Sequence, residues 1–326
     1  MNRRTFLTCS GLAAGATAGY QWALDRNERG YRSEVFIGPA ASYSADLAGL
    51  IREGLASLRF DSRRVTRKCV LLKPNLVEPS RAAPHINTHP AVVRAAIEVF
   101  RALGAKEVVV AEGQGHCRDS RYVLDESGLG PSLDEAGVEF VDLNHDDVYE
   151  VPNRFRKTTL DRLVFPSTLR RADLVVSLPK MKTHHWVGVT LSMKNLFGVM
   201  PGAFYGWPKN LFHQVGIAES ILDITAAVDA DLAIVDGVVG MEGDGPIMGS
   251  PRTSGVLVMG TNLVAVDATC ARLMEIDPWR VGYLRAASGR LGPVAETHIA
   301  QRGEEVAQMT QRYEILDHPS LAYLRG

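Results

Sequence analysis

The feature that most limits what this chain can fold into is an alternation. Short, continuously apolar segments are separated by stretches with helical spacing. Val35-Phe36-Ile37 reads as a strand, and Leu47, Leu50, Ile51, Leu55 and Leu58 then recur at helical intervals between Ala45 and Leu58. Cys69-Val70-Leu71-Leu72 predicts a buried strand. His89-Pro90 opens a helix to about Leu103, with Pro in its first turn and Gly104 as its stop. Further strands are expected at 107–111, 138–143, 173–178, 233–236 and 255–259, and helices at 210–228 and 263–275, with 144–170 irregular. Strands that are apolar along their whole length belong to sheets covered on both sides. The pattern therefore predicts an α/β fold, a mostly parallel sheet with helices on both faces.

In such sheets ligands bind at the carboxyl ends of the strands. Three predicted strands here end in polar clusters: Lys73-Pro74-Asn75, the run from Pro179 to His185, and Asp236-Gly237. Lys73 and Asn75 present an ammonium and an amide suited to an anion, and Lys180, Lys182, His184 and His185 form the densest cluster. Ser192, Lys194 and Asn195 follow it. Asp236, Glu242 and Asp244 sit in an acidic, glycine-rich stretch. They are expected either to gather around a hard divalent cation such as Mg²⁺ or to end as solvated or amide-capping acids in a turn. Asp267, in the middle of an apolar helix, is expected to pair with a lysine; the alternative is that it caps a neighbouring segment. Glu112-Gly113-Gln114-Gly115 follows a strand but lacks the third glycine of a dinucleotide fingerprint.

Composition narrows the partners. Lys and Arg total 36 against 37 Asp and Glu, a net charge of −1, which excludes a polybasic nucleic-acid binder as the default. Four cysteines with no C-x-x-C pair exclude a disulfide scaffold and argue against an intrinsic iron–sulfur cluster. Only eight of the 36 cations are lysines, leaving 28 arginines, and Lys73, Lys180, Lys182 and Lys194 all fall in the polar clusters, with Lys209 nearby. Lysine is a compact point charge whose pKa falls on burial, whereas guanidinium stays charged. The bias suggests a packed point cation at these strand ends.

Residues 1–28 read as a leader and short linker ahead of a single α/β domain over 29–326. Arg3-Arg4-Thr5-Phe6-Leu7 followed by a small-residue run and Ala16-Thr17-Ala18 has the form of a twin-arginine export signal. The expectation is export by the twin-arginine machinery to the periplasm or another extracytoplasmic space, with a membrane tether if the signal is retained. Loss of Arg3 and Arg4 leaves 34 cations against 37 acids, a charge of −3.

The ordered set Leu72-Lys73-Pro74-Asn75-Leu76, Thr88-His89-Pro90, Lys180-Met181-Lys182-Thr183-His184, Met193-Lys194-Asn195-Leu196-Phe197-Gly198, Val235-Asp236-Gly237 with Met241-Glu242-Gly243, and Ala265-Val266-Asp267-Ala268 resembles the domain-of-unknown-function family 362. The resemblance runs over roughly 35–300. It implies one α/β domain with a site built from these motifs, and no established reaction. Some relatives carry a ferredoxin-like segment, which this sequence lacks.

Three functional expectations follow. The first is an exported enzyme on a small anionic substrate, with Lys73, Asn75, Lys180 and Asn195 binding it, His184, Lys182 and Lys194 catalytic, and Asp236, Glu242 and Asp244 holding a metal. The second is a redox-associated protein working with a separate iron–sulfur partner. The third is a non-catalytic periplasmic ligand-binding module.

Overall fold

The computed structural model describes residue 28 and residues 30–324; the expected leader, apart from Glu28, lies outside the described residues. Twelve strands are described: β1 (Ser33–Pro39), β2 (Cys69–Pro74), β3 (Glu107–Glu112), β4 (Phe140–Asp142), β5 (Val148–Pro152), β6 (Arg162–Pro166), β7 (Leu174–Leu178), β8 (Lys180–His184), β9 (Gly188–Thr190), β10 (Leu232–Glu242), β11 (Ser250–Gly260) and β12 (Ile299–Gly303). Ten of them form one sheet in the order β12-β1-β11-β10-β7-β2-β3-β4, with β8 on β10 and β9 on β8. The run β10-β7-β2-β3-β4 is parallel throughout, while β11 is antiparallel to both its neighbours.

Strand periodicity divides the core in two. Leu71, Val109, Val175 and Val235 point to one face and pack with the helices Ile217–Val228 and Leu263–Leu273. Val70, Leu72, Val110, Val176 and Ile234 point to the other and pack with the helices Leu47–Ser57 and Pro90–Ala102. The mostly parallel sheet with helices on both faces is therefore observed. His89 caps the Pro90–Ala102 helix, its Nδ1 accepting from the Ala91 amide at 3.1 Å, with Pro at the start as expected.

Several sequence expectations need correction. Residues 210–228 are not one helix: Gly216, at φ 104°, breaks them into Asn210–Val215 and Ile217–Val228. The stretch 144–170 holds the antiparallel hairpin β5–β6, whose half-exposed β5 lacks the apolar run that marks a core strand. Asp236 does not end its strand, because β10 runs on to Glu242 through an irregularity between Gly237 and Val239. The polar run Lys180–His184 is itself the buried strand β8.

Chain order sets the position of the site. β2 and β7 are neighbours, yet the chain leaves β2 toward β3 on one side and leaves β7 toward β10 on the other. A crevice opens at the carboxyl ends where connections diverge in this way.

Candidate functional site

A cleft of about 620 Å³ lies at these strand ends. β2 contributes Lys73 and is followed by Asn75; β3 contributes Glu112. His184 comes from the end of β8, Thr190 from β9, and Lys194 and Asn195 from the helical turn Ser192–Asn195. Lys209 and His213 enter from the start and body of the helix Asn210–Val215, and Asp244 and Pro246–Met248 from the β10–β11 connection. Leu76, Val77, Trp186, Phe197, Ile247 and Met248 give the walls a large apolar component.

Lys73 is already neutralised. Its ammonium is fully buried, pairs with Glu112, and donates to Asn195 Oδ1 and the Pro74 carbonyl, each at 2.9 Å. Asn195 Nδ2 returns hydrogen bonds to the Lys73 carbonyl and Ser177 Oγ, each at 3.0 Å. Burial draws both members of the pair toward their neutral forms, and their mutual attraction opposes it. Gly198 seals this cluster: a Cβ there would overlap the Glu112 carboxylate and the Lys73 ammonium.

Lys180 and Asp236 form a second buried pair, at 2.5 Å. Tyr43 donates to Asp236 Oδ1 at 3.2 Å and accepts from Lys180 at 2.9 Å, while its ring stacks on His89 at 3.6 Å between centroids. The pair joins β8 to β10 and does not line the cleft. Lys182 is also buried behind the lining, donating to the Ile86 carbonyl at 2.6 Å and the Pro246 carbonyl at 3.1 Å. Burial, with Lys180 and Lys194 nearby, holds its pKa well below the ordinary lysine value.

Lys194 differs from these. It is half-buried, lines the cleft and lies 3.9 Å from the Phe197 ring centroid. Among the described residues its ammonium has no hydrogen-bond or ion-pair partner. Burial, followed by the charge on Lys73, brings its pKa down to about 8. Lys209 donates to Asn144 Oδ1 at 2.9 Å and to the Met200 carbonyl, with no carboxylate among the described residues in contact; burial brings it down to about 7.

His184 is buried, and desolvation and then Lys194 hold its pKa well below the ordinary imidazole value. The ring is therefore neutral. Its Nδ1 accepts from the Trp186 amide at 3.1 Å, which puts the ring proton on Nε2. With Nδ1 occupied, the ring offers a hydrogen-bond donor rather than a free base. Thr190 Oγ1 and Asn75 Oδ1, in the same cleft lining, are buried without partners.

The expected metal trio is not brought together. Asp236 is engaged by Lys180 and the His89 amide, Glu242 accepts from the Glu314 amide at 3.0 Å, and Asp244 faces His185 Nδ1 at 3.2 Å. Among the described residues no group of three His, Cys, Asp or Glu is placed to hold a metal ion. Asp267 pairs with no lysine. It accepts from the Ser192 amide at 2.7 Å, the Met193 amide at 3.0 Å and the Ser192 hydroxyl, capping the turn that carries Lys194. Burial pushes its carboxyl up to about 7.

Of the residues singled out from the sequence, Lys73, Asn75, His184, Lys194, Asn195 and Asp244 share the cleft, whereas Lys180, Lys182, Asp236 and Glu242 lie outside its lining. Glu112, Thr190, Trp186 and His213 were missed as site residues. Glu112 carried one available signal, an acid directly at the end of an apolar strand.

The sequence matches the family described as Domain of unknown function (DUF362) over residues 70–272, more than half of the chain. This chain belongs to the DUF362 family. The matched span runs from β2 into the helix that carries Asp267, and so includes the residues that build the cleft. A relative of this DUF362 protein is the thylakoid-associated protein sll1697 of Synechocystis sp., 30% identical over 230 residues, covering 68% of each chain. A crystal structure of a Thermotoga maritima protein is matched in part. The TM-score is 0.35 at 14% identity, covering 66% of this chain and 56% of that one. Among the described residues no helix is long and apolar enough to cross a membrane.

Proposed function

We propose that this DUF362 protein is an exported enzyme that binds a small anionic molecule with an apolar body in the cleft. The observation that carries the reading is Lys194: a point cation in the cleft wall with no acid among the described residues in contact, beside Lys73, whose charge is already engaged. An anion placed there gains an ammonium partner without displacing a protein carboxylate. Lys209 adds a second cation that lacks a carboxylate partner. The Nε2–H of His184 supplies a neutral donor able to polarise a carbonyl or anionic oxygen. With their lowered pKa values, Lys194 and Lys209 are both able to exchange a proton near neutrality. Trp186, Phe197 and Met248 accommodate the apolar body. Export is supported by the twin-arginine pattern of Arg3-Arg4-Thr5-Phe6-Leu7.

Calorimetric titration of the full chain with benzoate, acetate and inorganic phosphate tests the reading. Benzoate is expected to bind more tightly than acetate, and Lys194→Met to weaken benzoate by at least tenfold. Benzoate affinity unchanged by that substitution would overturn it.

A further inference from the structure

We propose that Lys194 acts as a nucleophile, forming an imine with the carbonyl carbon of a 2-oxo acid that has an apolar side chain. The inference rests on the anion-binding reading of the same cleft and names its substrate class. Three features of the geometry carry it. The Lys194 amine lines the cleft over the Phe197 ring, and among the described residues no hydrogen bond holds its lone pair or its protons. Thr190 Oγ1 is a buried hydroxyl without a partner in that same lining. His184 presents a neutral Nε2–H. A simple anion site needs a cation; it does not need an unpartnered amine together with an unpartnered hydroxyl and a neutral imidazole donor.

The chemistry balances with the groups present. The neutral amine attacks the ketone carbon, forming the C–N bond, and the carbonyl oxygen takes the proton that nitrogen loses. That gives a carbinolamine. Its hydroxyl then leaves as water, carrying the second nitrogen proton, and the C=N bond closes; no oxidant, reductant or cofactor is consumed. His184 can donate to the carbonyl oxygen, and the Thr190 hydroxyl can both accept and donate a proton between nitrogen and oxygen. Lys209, already donating to Asn144 and the Met200 carbonyl, is a second amine in the lining whose charged form a bound substrate carboxylate would favour. Desolvation beside other cations is a recognised way to make a lysine nucleophilic, and the fall of the Lys194 pKa to about 8 agrees with it. Apolar walls favour a hydrophobic 2-oxo acid over a hydrophilic one.

The test is reductive trapping on the full chain. Phenylpyruvate and sodium cyanoborohydride are added at pH 6.5, 7.5 and 8.5, and the adduct is located by intact mass and peptide mapping. One adduct per chain at Lys194 is expected, saturable and competed by benzoate, in at least tenfold excess over adduct at any other lysine. Its rate is expected to rise through pH 8, in a setting that includes Lys73, Glu112, Lys182, Lys209, His184 and His213. Lys194→Arg removes the primary amine and should lose the adduct. If benzoate binds through Lys194 and no adduct forms there, the imine is overturned and the anion site stands. If neither benzoate binding nor trapping depends on Lys194, both fall. Trapping spread over surface lysines without saturation also overturns the imine.

Discussion

Lys73 and Glu112 form an ion pair across the ends of neighbouring parallel strands β2 and β3, 39 residues apart in sequence and both closed off from solvent. Among the described residues the pair leaves Lys194 and Lys209, rather than Lys73, as the lysines of the cleft lining without a carboxylate partner. Removing one member of a buried pair strands the other charge. Glu112→Leu is therefore expected to cost about 3–5 kcal/mol in urea unfolding, and the double change Lys73→Met, Glu112→Leu clearly less than the sum of Lys73→Met and Glu112→Leu alone. Additive costs in that cycle would show that the two groups are not coupled.

Gly198 is required by close approach rather than by its backbone angle. Its missing side chain is the space that the Lys73–Glu112 pair fills. Gly198→Ala should destabilise by roughly 1–3 kcal/mol, as overpacking does, and weaken benzoate binding. A Gly198→Ala protein with unchanged melting temperature and affinity would show that the cluster has room to give.

Asp267 is a positioning residue. It holds the amides of Ser192 and Met193, and with them the turn that carries Lys194 and Asn195. Asp267→Ala leaves these buried donors unpaired, at an expected cost of about 2 kcal/mol. Asp267→Asn retains one acceptor oxygen and should recover part of the loss. Benzoate affinity should fall in the same order, although Asp267 lies outside the cleft lining. Loss of stability without any change in affinity would restrict the residue to a fold role.

Burial of lysines without acid partners gives a defined pH signature. Lys209 has a folded pKa of about 7, against about 10.4 for an unfolded lysine. Between those values the unfolded chain binds more protons, so this group makes stability rise with pH across that window. Below about 7 both states are charged and its contribution is constant. Lys194 adds the same sign from about 8 upward. Chemical denaturation at pH 6 to 10 should show the slope, and Lys209→Met should flatten it. Equal slopes in the two proteins would place Lys209 at an ordinary pKa.

The fold was legible in the sequence because fully apolar strands such as Cys69–Leu72 imply cover on both faces, and the Pro90 helix carries its own start and stop signals. The strand end that borders the cleft was legible too, because Lys73-Pro74-Asn75 stands directly after an apolar strand. The division of labour among the lysines was not. Lys180 and Lys182 look as available as Lys194 in one dimension, and only the pairing of β8 with β10 puts Lys180 against Asp236 and buries Lys182. Acids raised the same difficulty. Glu242 and Asp244 are near neighbours of Asp236 in sequence, but the extended run of β10 separates them, so closeness along a strand gave a metal trio that the structure does not assemble. β5 escaped because its alternating half-exposed residues carry little apolar signal, whereas β6 is a short buried apolar run that was passed over.

With only eight lysines, the side chains can be followed individually by NMR in protein carrying ¹³C-lysine, Lys194 being assigned by its loss in Lys194→Arg. The εCH₂ resonance of Lys194, titrated with pH without and with saturating benzoate, reads the central claim directly. The expected result is a midpoint of about 8 in the free protein, moved upward when the carboxylate binds, since an anion favours the charged amine. A midpoint near the ordinary lysine value, unmoved by benzoate, would contradict it.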